Sequence, residues 1–351
     1  MNKIEDIVSK KRNTLKTDRL DMSFGELINI YSDKELFISP EYQRAFRWSD
    51  YQRTRFIESV LLGIPIPPIF VAEDDNGKWE VVDGLQRIST VFSFFGVLED
   101  LPEKNNFVLT KGDIVKELEG LTGDTIPLML KTTIKRSVCR VEIVKWDSNE
   151  DIRYELFNRL NTGSSPLSEQ EVRNCIFRAY KVNLNQVLRD LAEIKTLKDI
   201  IAPTDTKKEQ MFLEELVLRY FAFKHLDAKD EITTTVPHFL TGYMKLVSED
   251  KVAFDIEKEK EQFSQLFELL FNKYGKKIFR PKGSFALHIY DSISFALPKV
   301  FSSIKGHEEK IFSRIDALLK DDVYKNISTT TFSTRRAKDR MNRALVIFKE
   351  T

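Results

Sequence analysis

Val81-Val82-Asp83-Gly84-Leu85-Gln86-Arg87-Ile88-Ser89-Thr90 reads as an apolar strand that stops at Asp-Gly, with a helix beginning at once. Upstream, Ile69 to Glu73, the turn Asp74-Asp75-Asn76-Gly77 and Lys78 to Val82 predict a β-hairpin, because Asn-Gly supplies the positive φ angles of a tight turn. Asp83 therefore falls at the carboxyl end of a strand. The backbone N–H groups of Leu85, Gln86 and Arg87 fall at a helix N-terminus, where unpaired donors and partial positive charge favour an anion. Arg87 adds a planar, permanently charged fork suited to phosphate oxygens. The same spacing, Asp83 followed three residues later by Gln86, is also that of a helix capping box, and the segment alone does not separate the two readings.

A second polar and aromatic cluster, Pro40-Glu41-Tyr42-Gln43-Arg44-Ala45-Phe46-Arg47-Trp48, lies between a short strand and a helix. Arg44 and Arg47 are suited to neutralising a triphosphate while Tyr42 or Gln43 meets base or sugar. The plain alternative is that Tyr42, Phe46 and Trp48 pack the core and the arginines face solvent.

Around these segments the chain has the composition of a folded globular protein. Its 351 residues are 42% hydrophobic and 31% charged, which excludes disorder as the main state and favours two domains over one. Lys plus Arg number 55 against 54 Asp plus Glu, so any polyanion site must be local. Cys139 and Cys175 have neither CxxC nor Cys/His ligand spacing, which argues against a disulfide framework or a zinc site. Met1 to Leu20 has no apolar block and no stretch is long enough to span a bilayer, so no membrane partner is expected and a cytoplasmic location is.

The organisation changes along the chain. From about Asp21 to Val144, short strands, turns and helices alternate: Ser49 caps a helix ended by Gly63-Ile64-Pro65, Arg87 to Phe95 forms another, and Leu101 to Lys135 is an irregular excursion with a short helix inside it. Cys139, Val141 and Ile143 alternate with Arg140 and Glu142, as in a half-buried strand. From Ser148 the pattern is helical almost throughout: Ser148 to Leu160, Ser168 to Tyr180, then about 184–194, 207–224, 237–247, 256–274, 285–297, 305–319 and 334–348. The expected division is an extension over 1–20, an α+β domain over 21–147 and a helical domain over 148–351. The charge run Asp255 to Glu261 is expected to be a solvated helix face.

The tail Thr329 to Arg343 is the one clearly basic stretch. With Thr334 as cap, Arg336, Arg340 and Arg343 share a helix face able to hold nucleic-acid phosphates, or simply face water. The loop Asn161-Thr162-Gly163 is read first as a helix cap. There is no Walker loop, no GxSxG elbow and no HExxH pair, and the scattered histidines do not suggest a His-Asn-His nuclease.

Taken together, the residues resemble the DUF262 family, the N-terminal part of GmrSD-type restriction enzymes, with a ParB/sulfiredoxin-like fold. Pro40 to Trp48 resembles the signature PxYQRxFxW. Asp83-Gly84-Leu85-Gln86-Arg87 resembles the box DGQQR with Leu85 in place of the first Gln, and Phe157 to Gly163 with Pro166-Leu167-Ser168 resembles FxRLNTGGTPLS. The resemblance covers about Asp21 to Tyr180. It implies a nucleotide-binding domain, often an NTPase, that helps a defence system recognise modified phage DNA and controls a nuclease. Carried over by position, Asp83, Gly84, Gln86 and Arg87 would bind an NTP with Tyr42, Gln43, Arg44 and Asn161. Asp83 and Arg87 would be the catalytic pair, and Asp83 would hold Mg²⁺. Partners would be DNA and a separate nuclease or modification protein, with a homo-oligomer left open. Two further readings stay in play, a ParB-like nucleotide and DNA regulator without turnover and a nuclease with an unrecognised centre. The HNH domain of two-part members is not evident, and with no cysteine in the box reductase chemistry is not expected.

Overall fold

The computed structural model describes residues 3–12, 16–38, 46–74, 76–99, 101–145, 156, 159–160, 168–177, 184–227, 234–281, 283–301, 303–327 and 334–350. Two compact units divide the chain, Met1–Leu167 and Ser168–Thr351. The predicted helix from Ser148 to Leu160 and the Asn161-Thr162-Gly163 loop lie almost wholly outside the described residues.

The first unit is α+β. Helix α1 (Lys3–Arg12) precedes β1 (Thr17–Ser23), α2 (Phe24–Ser32), β2 (Leu36–Phe37) and α3 (Asp50–Leu61). Strands β3 (Ile69–Glu73) and β4 (Trp79–Asp83) follow, then α4 (Leu85–Phe94), α5 (Leu128–Arg136) and β5 (Val138–Val144). The sheet order is β1-β5-β3-β4-β2. The outer pair β1/β5 and the hairpin β3/β4 are antiparallel, whereas β3/β5 and β2/β4 are parallel. The hairpin forms as its turn chemistry predicts: Gly77 has φ +78°, and the Asp74 carboxylate accepts the N–H groups of Asn76 at 2.9 Å and Lys78 at 2.8 Å. On β5, Cys139, Val141 and Ile143 are buried, while Arg140 reaches Asp21 across the β1/β5 register at 2.9 Å.

Helix α3 is fixed at both ends by side chains. Ser49 and Gln52 form a capping box at its start. Near its other end the buried Glu58 accepts the N–H groups of Asp113 at 3.3 Å, Ile114 at 2.9 Å and Val115 at 2.7 Å. Thr54 and Tyr51 hold the same excursion through Thr110 N–H and the Asp113 carboxylate, at 2.9 and 3.0 Å. The irregular stretch after α4 is thus anchored to α3 by side chains, in addition to its own short helical turns at Pro102–Lys104 and Lys116–Leu118. Replacing Glu58 with Ala takes the carboxylate acceptor from three backbone N–H groups, and thermal melting should show this unit destabilised by about 1–3 kcal/mol; an unchanged melt would refute the clamp.

In the second unit every described element is a helix. They are α6 (Glu169–Ile176), α7 (Leu184–Ala192), α8 (Lys195–Ile201), α9 (Asp205–Glu209), α10 (Phe212–His225) and α11 (Val236–Ser248). The remainder are α12 (Ile256–Tyr274), α13 (Leu287–Val300), α14 (Glu308–Lys320), α15 (Asp322–Asn326) and α16 (Thr334–Lys349). The single helix expected over 207–224 is two, because Met211 adopts φ +54° between α9 and α10. The core is aromatic, with Tyr220, Phe263, Phe267 and Tyr290 in successive edge, tilted and stacked contact. Through it runs an ionic chain: Arg173 lies 3.7 Å from Glu215, Glu215 2.9 Å from Arg219, and Arg219 3.0 Å from Asp291. The charge run at the start of α12 is a solvated face except at Glu259, which is buried. Glu259 accepts from Lys224 at 2.6 Å and faces His225 Nε2 at 3.1 Å, whose Nδ1 meets the Tyr243 hydroxyl at 2.6 Å.

Candidate functional site

The strand-to-helix turn is built around a glycine. Gly84 is the N-cap of α4 with φ +94° and no side-chain cap, so the capping-box reading of Asp83 and Gln86 is corrected. Both side chains are committed elsewhere. Asp83 Oδ2 accepts from Arg87 Nη2 at 2.7 Å, and Arg87 Nη1 donates to the Pro67 carbonyl at 2.7 Å. The Arg87 side chain is 13% exposed, held where β4 ends and α4 begins. The first bond of the α4 ladder runs from Ile88 N–H to Gly84 C=O at 3.0 Å, so the N–H groups of Leu85, Gln86 and Arg87 precede the ladder.

Leu85 departs from the expected box for a packing reason: its side chain is buried and adds to the core beneath the turn, which leaves its backbone N–H in place at the helix end. Space is equally tight at Gly84. A Cβ there would sit 2.9 Å from Ile69 Cγ1 and 3.2 Å from Arg87 Nη2.

Gln86 reaches outward. Its side-chain oxygen accepts the backbone N–H groups of Arg47 and Trp48, each at 3.1 Å, and so brings the end of the upstream aromatic cluster to the start of α4. Phe46 is buried, whereas Arg47 is exposed. Lys104 donates to the Phe46 carbonyl at 2.8 Å, and the Arg53 guanidinium lies 5.6 Å from the Phe46 ring and 4.2 Å from that of Phe107. Tyr42, Gln43, Arg44 and Asn161 lie outside the described residues.

Sequence reasoning missed Pro67, Arg53 and Lys104. The Pro65 to Pro68 run signals only a helix stop, and neither Arg53 nor Lys104 carries a local mark, since Lys104 is 58 residues from its partner. Cys139, read as a core residue, also lies close enough to Arg87 for that charge to act on its thiol. Burial pushes the thiol up and Arg87 partly opposes it.

The three tail arginines do not form one exposed face. Arg340 is buried on α16 and burial lowers its affinity for its proton. Arg343 makes a two-pronged pair with Asp321, its Nε at 3.1 Å. Of the three, Arg336 is exposed.

The residues at the turn suit a phosphate: a guanidinium and a helix start are both donors. For Mg²⁺ they offer the Asp83 carboxylate, so phosphate oxygens and water would have to complete the octahedron. Among the described residues no group of three or more His, Cys, Asp or Glu is placed to hold a metal ion. No described helix is long and apolar enough to cross a membrane.

The fold and the turn define an α+β domain in which a strand–glycine–helix junction presents a paired aspartate and arginine, followed by a helical C-terminal part. Residues 25–178 match the family described as GmrSD restriction endonuclease, N-terminal domain, and the match supports assigning that span to this restriction-related family, DUF262. No curated protein matches the chain.

Proposed function

We propose that the chain is a nucleotide-dependent protein of a restriction or anti-phage system, binding a nucleoside triphosphate at the Asp83 to Arg87 turn and controlling a partner effector that acts on foreign DNA. The observation that carries the reading is Arg87, held at the first turn of α4 within the matched domain. Arg87 and the N–H groups at the start of α4 offset phosphate charge, and Asp83 orients a water or takes a share of Mg²⁺. When bound, the metal would supply charge neutralisation on the phosphates.

A second reading, binding without turnover, is favoured by one specific observation. Asp83 is ion-paired to Arg87 at 2.7 Å through Oδ2, which gives the carboxylate at the turn a structural role in holding the arginine.

The test is equilibrium binding and phosphate release by the purified chain with each NTP, with and without Mg²⁺ and DNA. Arg87→Ala should weaken binding by roughly 10–100-fold, the loss of a charge-assisted hydrogen bond worth about 1.5–3 kcal/mol. Asp83→Asn releases Arg87 from its pair, so affinity should hold or rise while phosphate release disappears. Equal affinity in wild type and Arg87→Ala refutes the site; binding with no release in wild type selects the second reading.

A further inference from the structure

We propose that Gln86 is a positioning residue, whose side-chain carbonyl clasps two consecutive backbone N–H groups and fixes the end of the Pro40 to Trp48 segment against the start of α4. This rests on the nucleotide-binding reading above and assigns Gln86 a role other than direct contact with the nucleotide.

The geometry is specific. An amide oxygen has two lone pairs, and both find a donor: Arg47 N–H and Trp48 N–H, each at 3.1 Å, from residues 39 and 38 positions away. Such a pair requires the acceptor to lie between adjacent peptide groups, which sets the direction of the chain there and not merely its distance. The rest of the segment's end is fastened from other elements. Lys104 takes the Phe46 carbonyl at 2.8 Å and lies 5.2 Å from the Phe46 ring. Phe56 of α3 meets Trp48 with ring centroids 5.7 Å apart.

Among these fasteners, Gln86 is the one that comes from α4 itself. Its backbone is the second residue of that helix, ahead of the ladder, while its side chain holds the upstream segment. One residue therefore joins the start of α4 to Phe46-Arg47-Trp48, and that end of the segment can be no better placed relative to the helix start than this clasp allows. Small errors of placement are expensive in affinity, since a site must be held to a fraction of an ångström by the groups behind it.

Two substitutions separate positioning from contact. Gln86→Ala removes both acceptor lone pairs. Gln86→Glu keeps the acceptor, strengthens it with charge and adds a negative charge that a phosphate contact would not tolerate. Binding is measured with ATP and GTP in the presence of Mg²⁺. Emission of Trp48 is followed in a Trp79→Phe, Trp146→Phe background, and circular dichroism checks the fold.

Positioning requires that Gln86→Ala weaken nucleotide binding about tenfold and shift Trp48 emission to the red, while Gln86→Glu stays within about threefold of wild type with unshifted emission. If Gln86→Glu binds more weakly than Gln86→Ala, the side chain contacts phosphate and the inference is overturned. Wild-type affinity with unshifted emission in Gln86→Ala overturns it as well. Should the wild-type chain bind no nucleotide at all, the reading of the site falls, whereas the Trp48 emission of the two variants still decides whether the clasp exists.

Discussion

Gly84→Ala should abolish nucleotide binding and destabilise the α+β unit by roughly 2–4 kcal/mol, combining the cost of a left-handed L-residue with forced repacking. The φ of +94° at Gly84 is the first reason. An alanine must either keep that angle under strain or relax it, and relaxing it re-aims the start of α4. The second reason is contact. The new methyl carbon would stand 2.9 Å from Ile69 Cγ1 on β3 and 3.2 Å from Arg87 Nη2. Ile69 is fully buried and cannot retreat without opening the sheet, so the arginine moves, and with it the contacts to Asp83 and Pro67. Isothermal titration with ATP and GTP, paired with a urea melt, reads both effects. A variant that melts and binds like wild type would show that the turn tolerates a side chain and that the site lies elsewhere.

Arg219→Met should be the most damaging single change in the helical unit. Arg219 stands between Glu215 at 2.9 Å and Asp291 at 3.0 Å, and its removal leaves Asp291 without its ion pair and Glu215 with Arg173 alone in an aromatic core. Breaking such a buried arrangement costs about 3–5 kcal/mol. The deficit should depend on pH. Burial pushes the Asp291 carboxyl up to about 6, opposed by Arg219 and Arg340 and reinforced by Glu215; Tyr290 beside it and Tyr324 of α15 are the other titratable groups it faces. A folded-state value above the ordinary 3.8 means that this group's contribution is complete below that value and is lost as pH rises through about 6. Wild-type stability should therefore carry a downward term between about pH 4 and 6 that Asp291→Asn lacks, and the Arg219→Met deficit should be smaller at pH 5 than at pH 7.5. Urea melts at the two pH values check both; a deficit independent of pH would remove Asp291 from the account.

How much of this was legible beforehand follows from the range of the interactions. The Asn-Gly hairpin, the Ser49 cap, the alternation on β5 and the α12 boundaries are set by neighbours a few residues apart, and their sequence patterns were sufficient. The strand-to-helix junction at Asp83 was legible too, but its wiring was not. Asp83 and Gln86 at N-cap and N3 spacing look like a reciprocal cap; a positive φ at Gly84 moves the cap by one residue and leaves those side chains to partners 4 and 39 positions away. The tail failed for a similar reason. Arginines at helical spacing suggest a solvated face, yet Arg340 lies inside the helical core and Arg343 is paired with Asp321. A helical pattern gives the face and says nothing of what packs against it. Glu259, one residue of a charge run turned inward to Lys224 and His225, makes the same point.

The burial of Cys139 offers a stopwatch for the sheet. With the thiol 1% exposed on β5, a maleimide reaches it only when β5 comes away, so the labelling rate in a Cys175→Ser background counts openings of the strand that adjoins β3. Since β3 carries Ile69, the residue beneath the turn, nucleotide that tightens the junction should slow the count, and a ligand that merely grazes the surface should leave it running at its own pace.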